Sequence, residues 1–357
     1  MPAERSLIAP TSNPLLEHAL REALRRRNLT CGSFGELEPF AVRLGLLQNT
    51  LKPRLRDPHV LLFASDHGLV VDVLAARPRS TADVVRQVLG GQAPLAVFAR
   101  LHGMALRVVD AGVAEPLPRR EHLLVRKIAH GTRNVRLHAA MSVEQAHAAI
   151  RAGMEIAEGV RGNAVACAGV GAGGDLSAAM VLSRLDNYPL DHLLAGDDDT
   201  DAEGHGARDR ALAVATGALA RHRQATDPVE VLAALGGFEI AMMAGLILGA
   251  TARRQLVLID GMAACAALRV ARCIASAVTD YCIFCRSHGG RSLDHAMALF
   301  QASALLELGM DSVDGTGATL SWPLVRAAAA LLSEVADEAD DGSSRHGALG
   351  SHAPSVT

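Results

Sequence analysis

Four short apolar runs, each followed by a polar or glycine-rich turn, constrain the fold of this chain more than any other feature. Continuous hydrophobicity, without alternation, is typical of strands that are buried on both faces of a parallel sheet. Segments with helical periodicity separate the runs. The sequence therefore predicts a doubly wound α/β fold, with a mostly parallel sheet, helices on both faces and ligands at the carboxyl ends of the strands. The four runs are residues 60–64, 105–110, 164–169 and 256–260.

The size and the charge of the chain favour a globular protein over a nucleic-acid-binding or a membrane protein. Its 357 residues, 50% of them hydrophobic, can bury one large core with or without a small accessory domain. The net charge of -3 gives no electrostatic footprint for nucleic acid, and we interpret the one compact basic run, residues 25–27, as a solvated helix face. No apolar run reaches the length of about 20 residues that spans a bilayer, and residues 1–7 lack the apolar core of a signal peptide. We therefore expect a cytoplasmic protein that binds neither nucleic acid nor membranes.

The 6 cysteines give little sign of a metal or redox centre. Cys282 and Cys285 form a CxxC pair, but no second CxxC or histidine pair stands at zinc-finger spacing. Cys167, Cys265 and Cys273 lie in segments rich in alanine and valine, which predicts buried small hydrophobic side chains. We expect no metal and no cofactor.

Glycines dominate the turn that follows the third apolar run, residues 169–174. Glycine lets a backbone approach an anion closely, and the free N–H groups at a helix start favour phosphate. The spacing is not the Walker pattern, because no Gly-Lys-Ser/Thr follows. A phosphate cradle and a tight packing turn are both consistent with this segment.

Several polar residues are candidates for acid–base chemistry. Asp314, in a glycine-rich turn, could reach into a pocket as a general base or could cap the helix that follows. Asp66 and His67 follow the first apolar run and could form an acid–base pair, supply metal ligands or only stabilise the loop. His288 and His295 belong to a polar loop that fits a site, an interface or simple solvent exposure. The residues alone leave these alternatives open.

Three segments in a fixed order identify a family resemblance. They are residues 235–240, Leu-Gly-Gly-Phe-Glu-Ile, residues 63–68, Phe-Ala-Ser-Asp-His-Gly, and residues 314–318, Asp-Gly-Thr-Gly-Ala. Together they resemble the nicotinate mononucleotide:dimethylbenzimidazole phosphoribosyltransferase family, and the similarity extends over most of the chain. The family implies a homodimer and no metal.

The resemblance also implies a division into domains. A large α/β catalytic domain is expected over residues 58–320. A small helical domain is expected to combine residues 1–57 with residues 321–336. Residues 337–357, charged and then rich in Ser, Gly and His, are interpreted as a disordered tail.

A reaction and a set of site residues follow from the same resemblance. Family members move ribose 5-phosphate from nicotinate mononucleotide to 5,6-dimethylbenzimidazole, giving α-ribazole 5-phosphate and nicotinate in cobalamin assembly. Asp314 takes the place of the carboxylate that accepts the proton of the attacking base. The positions implied for phosphate or nucleotide binding are Gly171, Gly173, Gly174, Asp175, Ser177, Arg208, Gly315, Thr316 and Gly317. Those implied for binding the base are Asp66, His67, Pro78, Ser80 and Asp83.

Departures from the family concentrate where the chemistry is expected. Asp314 replaces a glutamate and is shorter by one C–C bond, about 1.5 Å. A second carboxylate of the family becomes Gly169, and Asp175 places a negative charge where the family binds phosphate. Residues 196–201 are acidic, and Arg208 or Arg210 is the candidate to replace a phosphate-binding lysine.

These departures leave alternatives beside the family reaction. The acceptor could be another lower base, such as adenine or a phenol. The chain could also catalyse glycosyl transfer or hydrolysis on a different nucleotide or nucleoside. A further alternative is a non-catalytic paralogue that pairs with an active homologue as a heterodimer.

Overall fold

The structure is a computed structural model that describes residues 8–73, 80–195 and 202–335. Three expectations from the sequence fall outside these ranges. They concern Pro78 as a base-binding residue, the acidic segment 196–201 and the tail 337–357.

One sheet of parallel strands forms the centre of the fold. Its strands are β1 (His59–Ser65), β2 (Ala105–Gly112), β3 (Leu123–Val125), β4 (Ala164–Val170), β5 (Leu256–Asp260) and β6 (Cys282–Cys285). Their order across the sheet is β3-β2-β1-β4-β5-β6, with every neighbouring pair parallel. The four apolar runs are β1, β2, β4 and β5, which confirms the predicted doubly wound fold. The strand order reverses between β1 and β4, and such a switch point leaves a crevice at the carboxyl ends of the strands.

Helices precede β1 and connect most of the strands in the described ranges, whereas a loop joins β2 to β3. The first seven are α1 (Pro14–Cys31), α2 (Leu37–Gln48), α3 (Val70–Val73), α4 (Thr81–Leu89), α5 (Pro94–Leu101), α6 (Val143–Glu158) and α7 (Gly174–Asp186). The others are α8 (Leu190–Leu193), α9 (Ala202–Arg221), α10 (Pro228–Leu235), α11 (Phe238–Ala252), α12 (Met262–Ile274), α13 (Arg291–Ala298) and α14 (Thr316–Ser333). A 3-10 helix, Ser276–Tyr281, precedes β6.

Helix α11 is buried over almost its whole length and determines one wall of the site. It is apolar on all faces, as expected of a helix inside a core. It crosses α6 closely, because Cβ atoms at Gly153 and Gly245 would overlap backbone atoms of the opposite helix. This packing holds the first turn of α11, which carries Glu239, beside the loop that follows β1.

The described residues divide into two compact units. The larger contains residues 8–10 and 56–322, and the smaller contains residues 11–55 and 323–335. No helix in the described ranges is both long enough and apolar enough to cross a membrane.

Arg27 corrects the interpretation of the basic run in α1. Arg25 is exposed as expected, but Arg27 is buried. Its guanidinium donates to the carbonyl oxygens of Val335 (2.9 Å) and Leu332 (3.3 Å). These carbonyls belong to the last turn of α14 and the residues after it, where a helix lacks N–H partners of its own. Arg27 therefore stabilises a helix end within the smaller unit.

Cys273 corrects a second expectation. Cys167 and Cys265 are buried as predicted, whereas Cys273 is exposed. Its Sγ lies 2.6 Å from Nη1 of Arg269, one turn earlier in α12. The residue lies in the last turn of α12, where residues 272–274 are all exposed, and the alanine-rich composition of the segment does not show where the helix leaves the core.

Candidate active site

The carboxyl ends of four strands bring titratable side chains together. His67 follows β1, Asp175 lies in the first turn of α7 after β4, Asp260 ends β5 and His288 follows β6. Beside them lies a cavity of about 430 Å³, lined by Asp175, His288, Gly289, Gly290, Gly309, Met310 and Asp311. A volume of this order suits a small-molecule site, and its position is the one where doubly wound sheets bind ligands.

Asp314 stands beside this cavity in the turn before α14. Its side chain is nearly buried, and its Oδ1 lies 3.0 Å from Nε2 of His288. Burial raises the pKa of Asp314 to about 7, although the neighbouring His288 opposes the rise. A carboxyl with a pKa near neutrality can exchange a proton at physiological pH, which suits a general base.

Asp260, and not Asp314, caps the start of α14. Its Oδ2 accepts hydrogen bonds from the backbone N–H groups of Gly315 (3.0 Å) and Ala318 (2.8 Å). The hydroxyl of Ser287 donates to the same oxygen at 2.8 Å. A helix start leaves such N–H groups without intrahelical acceptors. Asp260 accepts the hydrogen bonds of these N–H groups, so Asp314 does not cap the helix. Of the two roles that the sequence allows for Asp314, the general base remains.

The same turn engages the other residues implied as phosphate ligands. The N–H of Gly317 donates to the Ser287 hydroxyl at 2.8 Å, and that of Gly315 is already bonded as described. The Thr316 hydroxyl donates to the carbonyl oxygen of Val313 at 2.6 Å. The polar groups of Gly315, Thr316 and Gly317 thus shape the turn, which does not favour direct phosphate contacts from them.

Gly261 makes room for the Asp314 carboxylate. Its φ of 96° lies in the left-handed region, which L side chains rarely adopt. A Cβ atom at this position would also overlap Oδ2 of Asp314. The turn at the end of β5 therefore determines where the carboxylate stands.

His288 is the cationic partner of Asp314 and is partly open to the cavity, with 23% of its side chain exposed. Pairing with Asp314 raises the pKa of His288 to about 9, and Asp175 acts in the same direction. His288 is therefore protonated at pH 7. The structure thus brings His288 to the site, whereas His295 contacts the Tyr188 hydroxyl at 2.8 Å.

Asp175 presents an exposed carboxylate within the cavity. The protein walls around it desolvate the carboxylate and raise its pKa, while His288 and His67 lower it. Its place in the first turn of α7 also suits the helix dipole, which favours negative charge there. The resemblance places the negative charge of Asp175 where the family binds phosphate. In the structure, this carboxylate lies near His288 and His67.

His67 and Glu239 form a buried pair between the β1 loop and α11. Nε2 of His67 lies 2.8 Å from Oε1 of Glu239, and both side chains are shielded from solvent. Desolvation lowers the pKa of His67, but the charge and hydrogen bond of Glu239 outweigh it, so the pKa is raised overall. A Cβ atom at Gly237 would overlap both side chains, which explains the glycine in this motif. The partner of His67 is thus Glu239 and not the adjacent Asp66.

Replacing Glu239 by glutamine is expected to reverse this shift. Without the carboxylate charge desolvation dominates, and the pKa of His67 falls below its ordinary value of 6.5. NMR titration of the imidazole measures the change. Glu230→Gln, at an exposed carboxyl of α10, serves as the control and leaves the titration in place. A His67 pKa that stays above 6.5 in Glu239→Gln contradicts the assignment.

Asp66 ties three loops together. Its Oδ1 accepts a hydrogen bond from the Thr81 hydroxyl (2.5 Å), and its Oδ2 accepts one from the N–H of Ala114 (2.7 Å). The Thr81 hydroxyl in turn accepts from the N–H of Ala172 at 3.1 Å. Asp66 thereby links β1 to the start of α4 and to the loop after β2, and through Thr81 to the loop after β4. Both of its oxygens are engaged, which favours a structural role over direct contact with a base.

Ser80 and Asp83 lie at the start of α4. Ser80 is the N-cap, and its hydroxyl accepts from the N–H of Asp83 at 3.1 Å. Asp83 is exposed and pairs with Arg86 at 2.8 Å. Ser80 precedes Thr81, which contacts the loop after β4, whereas the Asp83 carboxylate is directed to the exposed face of α4.

The glycine-rich turn after β4 combines close packing with an open helix start. A Cβ atom at Gly171 would overlap the carbonyl of Ser65, so this glycine is required for packing against β1. Gly173, with φ of 83°, is the N-cap of α7, and Gly174 is its first residue. Gly171 therefore packs against β1, whereas Gly173 and Gly174 begin the helix that carries Asp175, and the N–H of Gly174 donates to the carbonyl oxygen of Gly171 at 3.0 Å.

Three further positions do not match the roles that the resemblance implies: two side chains are bonded within the protein, and one position has no room for a side chain. The Ser177 hydroxyl is buried and donates to the carbonyl oxygen of Leu235 at 2.7 Å, so it is not open to phosphate. Arg208, in α9, donates to the carbonyl oxygen of Asp191 at 3.2 Å. At Gly169 a Cβ atom would lie 2.8 Å from that of Ala263, which leaves no room for the family's second carboxylate.

Comparison with known proteins gives the family of this chain. A family model described as "Phosphoribosyltransferase" matches residues 9–342. A nicotinate-nucleotide–dimethylbenzimidazole phosphoribosyltransferase of Cupriavidus taiwanensis is 41% identical over 331 residues, which cover 92% of this chain and 95% of the relative. A protein of the same name from a Janthinobacterium is 36% identical over 333 residues, with 92% and 96% covered.

A solved structure supports the same relationship. The crystal structure of the enzyme of that name from Thermus thermophilus matches with a TM-score of 0.84 and 29% identity. The match covers 94% of this chain and 100% of the neighbour. The chain therefore belongs to the nicotinate-nucleotide–dimethylbenzimidazole phosphoribosyltransferase family.

Proposed function

We propose that the chain transfers ribose 5-phosphate from nicotinate mononucleotide to 5,6-dimethylbenzimidazole or a related lower-ligand base. The products are α-ribazole 5-phosphate and nicotinate. Relatives with that name, up to 41% identical over 92% of the chain, support the proposal. The observation that carries it is the Asp314 carboxyl, which stands beside the cavity with a pKa of about 7.

Asp314 serves as the general base in this proposal. One benzimidazole nitrogen attacks C1′ of the ribose while the bond from C1′ to the nicotinate nitrogen breaks. Nicotinate leaves with the bonding electrons, which neutralise its positively charged ring nitrogen, so the leaving group needs no proton. The proton on the other benzimidazole nitrogen passes to the Asp314 carboxylate.

Two features beside the cavity offer positive charge to an anionic ribosyl donor, against the carboxylates of Asp175 and Asp311. Protonated His288 and the start of α7 supply positive potential for a phosphate or a carboxylate. When it is ionised, the Asp175 carboxylate accepts hydrogen bonds but donates none, so it suits the hydroxyls of a ribose better than a phosphate. Of the positions implied for phosphate binding, we therefore retain only the start of α7 at its N-cap, Gly173.

The family resemblance also supports a homodimer acting in the cytoplasm, where phosphorylated nucleotide substrates are held. Analytical ultracentrifugation of the purified chain measures the mass of the assembly. A protein that is a dimer only when mixed with a homologue favours the heterodimer alternative.

A transfer assay tests the proposed reaction directly. Purified protein is incubated with nicotinate mononucleotide and a panel of benzimidazoles, adenine and phenols, and nicotinate and α-ribotide are quantified by chromatography. Equal amounts of nicotinate and α-ribotide are expected with at least one benzimidazole. Samples without an acceptor are the control and are expected to release little nicotinate.

Two outcomes contradict the proposal in different ways. Nicotinate release without α-ribotide assigns hydrolysis to the site. No turnover with any acceptor, from protein that remains folded, removes the transfer activity from the isolated chain and favours the role of a non-catalytic partner.

A further inference from the structure

Arg286 is a buried arginine that holds the loop carrying His288. It directly follows β6, and only 8% of it is exposed. Its Nε donates to the carbonyl oxygen of His288 at 3.0 Å. Its Nη2 donates to the carbonyl oxygens of Gly289 (2.7 Å) and Gly290 (3.1 Å). One guanidinium thus binds three consecutive carbonyl groups in the wall of the cavity.

Two carboxylates bind the other side of this guanidinium. Nη1 of Arg286 donates to Oδ1 of Asp294 at 2.7 Å and to Oε1 of Glu307 at 3.1 Å. Both carboxylates are exposed, so they hold the guanidinium from the solvent side. A rigid planar fork of N–H donors suits this arrangement, and the compact ammonium group of lysine cannot reproduce it.

We propose that Arg286 is a positioning residue for the reaction: it fixes the backbone of residues 288–290 and thereby holds the His288 imidazole against the Asp314 carboxylate. The inference rests on the proposed function, because it assumes that Asp314 is the base. Arg286 itself acts through His288, whose Nε2 lies 3.0 Å from Oδ1 of Asp314. The buried guanidinium therefore contacts the backbone of His288, and the side chain of His288 contacts the carboxylate that accepts the proton.

The groups that face the His288–Asp314 pair explain why this position matters. Asp175 faces it from α7, Asp260 from the end of β5, and Asp311 from the segment that pairs with the backbone of His288. The thiol of Cys265, on α12, stays neutral because burial raises its pKa. The facing groups are therefore acidic or neutral. If His288 moves away, Asp314 stands among carboxylates and holds its proton more tightly.

Arg286→Lys tests the proposal with two readouts. The first is the pKa of His288 in the substrate-free protein, followed by NMR of labelled histidine and assigned by the signal lost in His288→Gln. It is expected to fall from about 9 by one unit or more, because the imidazole leaves its carboxylate partner.

The second readout is the pH profile of ribose transfer. In the wild type, activity is expected to rise as the pH passes about 7 and Asp314 ionises. Loss of the neighbouring cation raises the pKa of the base, so the rising limb of Arg286→Lys moves to higher pH by about one unit or more. If Arg286 only stabilised the fold, Arg286→Lys would lower the amount of folded enzyme without changing the pH at which activity rises.

Arg269→Lys is the matched control. Arg269 also binds a carboxylate, that of Asp186, and a backbone carbonyl, that of Leu185. Those partners lie at the last turn of α7, at the opposite end from Asp175. Both readouts are expected to stay at their wild-type values in this variant.

An unchanged His288 titration in folded Arg286→Lys overturns the proposal. Where that variant does not fold, the double variant Asp294→Asn/Glu307→Gln loosens the guanidinium by changing two exposed residues. It is expected to shift the His288 pKa in the same direction, and an unmoved value there also overturns the proposal. The NMR readout needs no substrate, so an inactive wild type contradicts the proposed function alone and leaves the positioning role measurable.

Discussion

Asp314→Asn is expected to lower kcat for ribose transfer by about 10²- to 10⁴-fold, the usual contribution of a general base. Asparagine keeps the size of the side chain and is compatible with a buried position that already raises the carboxyl pKa to about 7. It cannot accept the proton of the attacking base. The loss is therefore expected in kcat more than in KM, and α-ribotide formation at saturating donor and acceptor measures it.

Two other variants make this result specific. Asp314→Glu keeps a carboxylate and restores the length of the family residue, so it is expected to be far more active than Asp314→Asn. Glu155→Gln, at an exposed carboxyl of α6, is expected to have wild-type activity. The melting temperature of Asp314→Asn is expected to match that of the wild type, because Asp260 caps α14. Full activity in Asp314→Asn removes the residue from the role of base.

Gly261→Ala is expected to reduce kcat/KM for ribose transfer by about 10²-fold. The added Cβ atom would overlap Oδ2 of Asp314, so the carboxylate must move by on the order of 1 Å, and such a displacement in an active site has an effect of that size. The φ of 96° also strains any residue other than glycine, which is expected to lower the free energy of unfolding by about 1–3 kcal/mol.

Gly103→Ala separates strain from displacement. Gly103 has a φ of 67°, and a Cβ atom there would meet no heavy atom within 4 Å. This variant is expected to lose stability and to keep its transfer activity. Steady-state kinetics and urea unfolding of both variants are the measurements. Wild-type kcat/KM in Gly261→Ala contradicts the close approach of the Asp314 carboxylate to the turn after β5.

The sheet was accessible to sequence reasoning because its signals are local. Strands β1, β2, β4 and β5 are continuous apolar runs, and a strand buried on both faces has no other simple pattern. Strand β6 was missed. It has only four residues, and two of them, Cys282 and Cys285, drew attention to metal and redox chemistry. Had the apolar run Cys-Ile-Phe-Cys been treated as a strand, Arg286 and His288 would have fallen at the edge where ligands bind.

The pairing within the site was not accessible, because it depends on tertiary structure. Asp314 and His288 are separated in sequence by the whole of α13 and a loop, and no periodicity joins them. The same holds for His67 and Glu239, which lie in two separate sequence motifs and meet only in the folded protein. Sequence reasoning locates residues at strand ends, but it does not determine which neighbour each side chain meets.

The glycines show a second limit. Gly315 and Gly317 fit a phosphate-binding turn as well as a packed one, since both require small residues and free N–H groups. Whether such a turn binds phosphate or only packs depends on whether its N–H groups already donate to an acceptor within the protein. In the structure, Asp260 and Ser287 occupy that place, and they come from the ends of β5 and β6.

The cap that Asp260 provides has a consequence for how this enzyme family can diversify. Asp260, at the end of β5, caps the start of α14, so the residue at position 314 takes no part in that cap. A substitution there alters proton transfer while the protein keeps its stability margin. Selection for a new acceptor can therefore act on residue 314 without a prior stabilising mutation. Asp314, where the family resemblance implies a glutamate, stands at such a position.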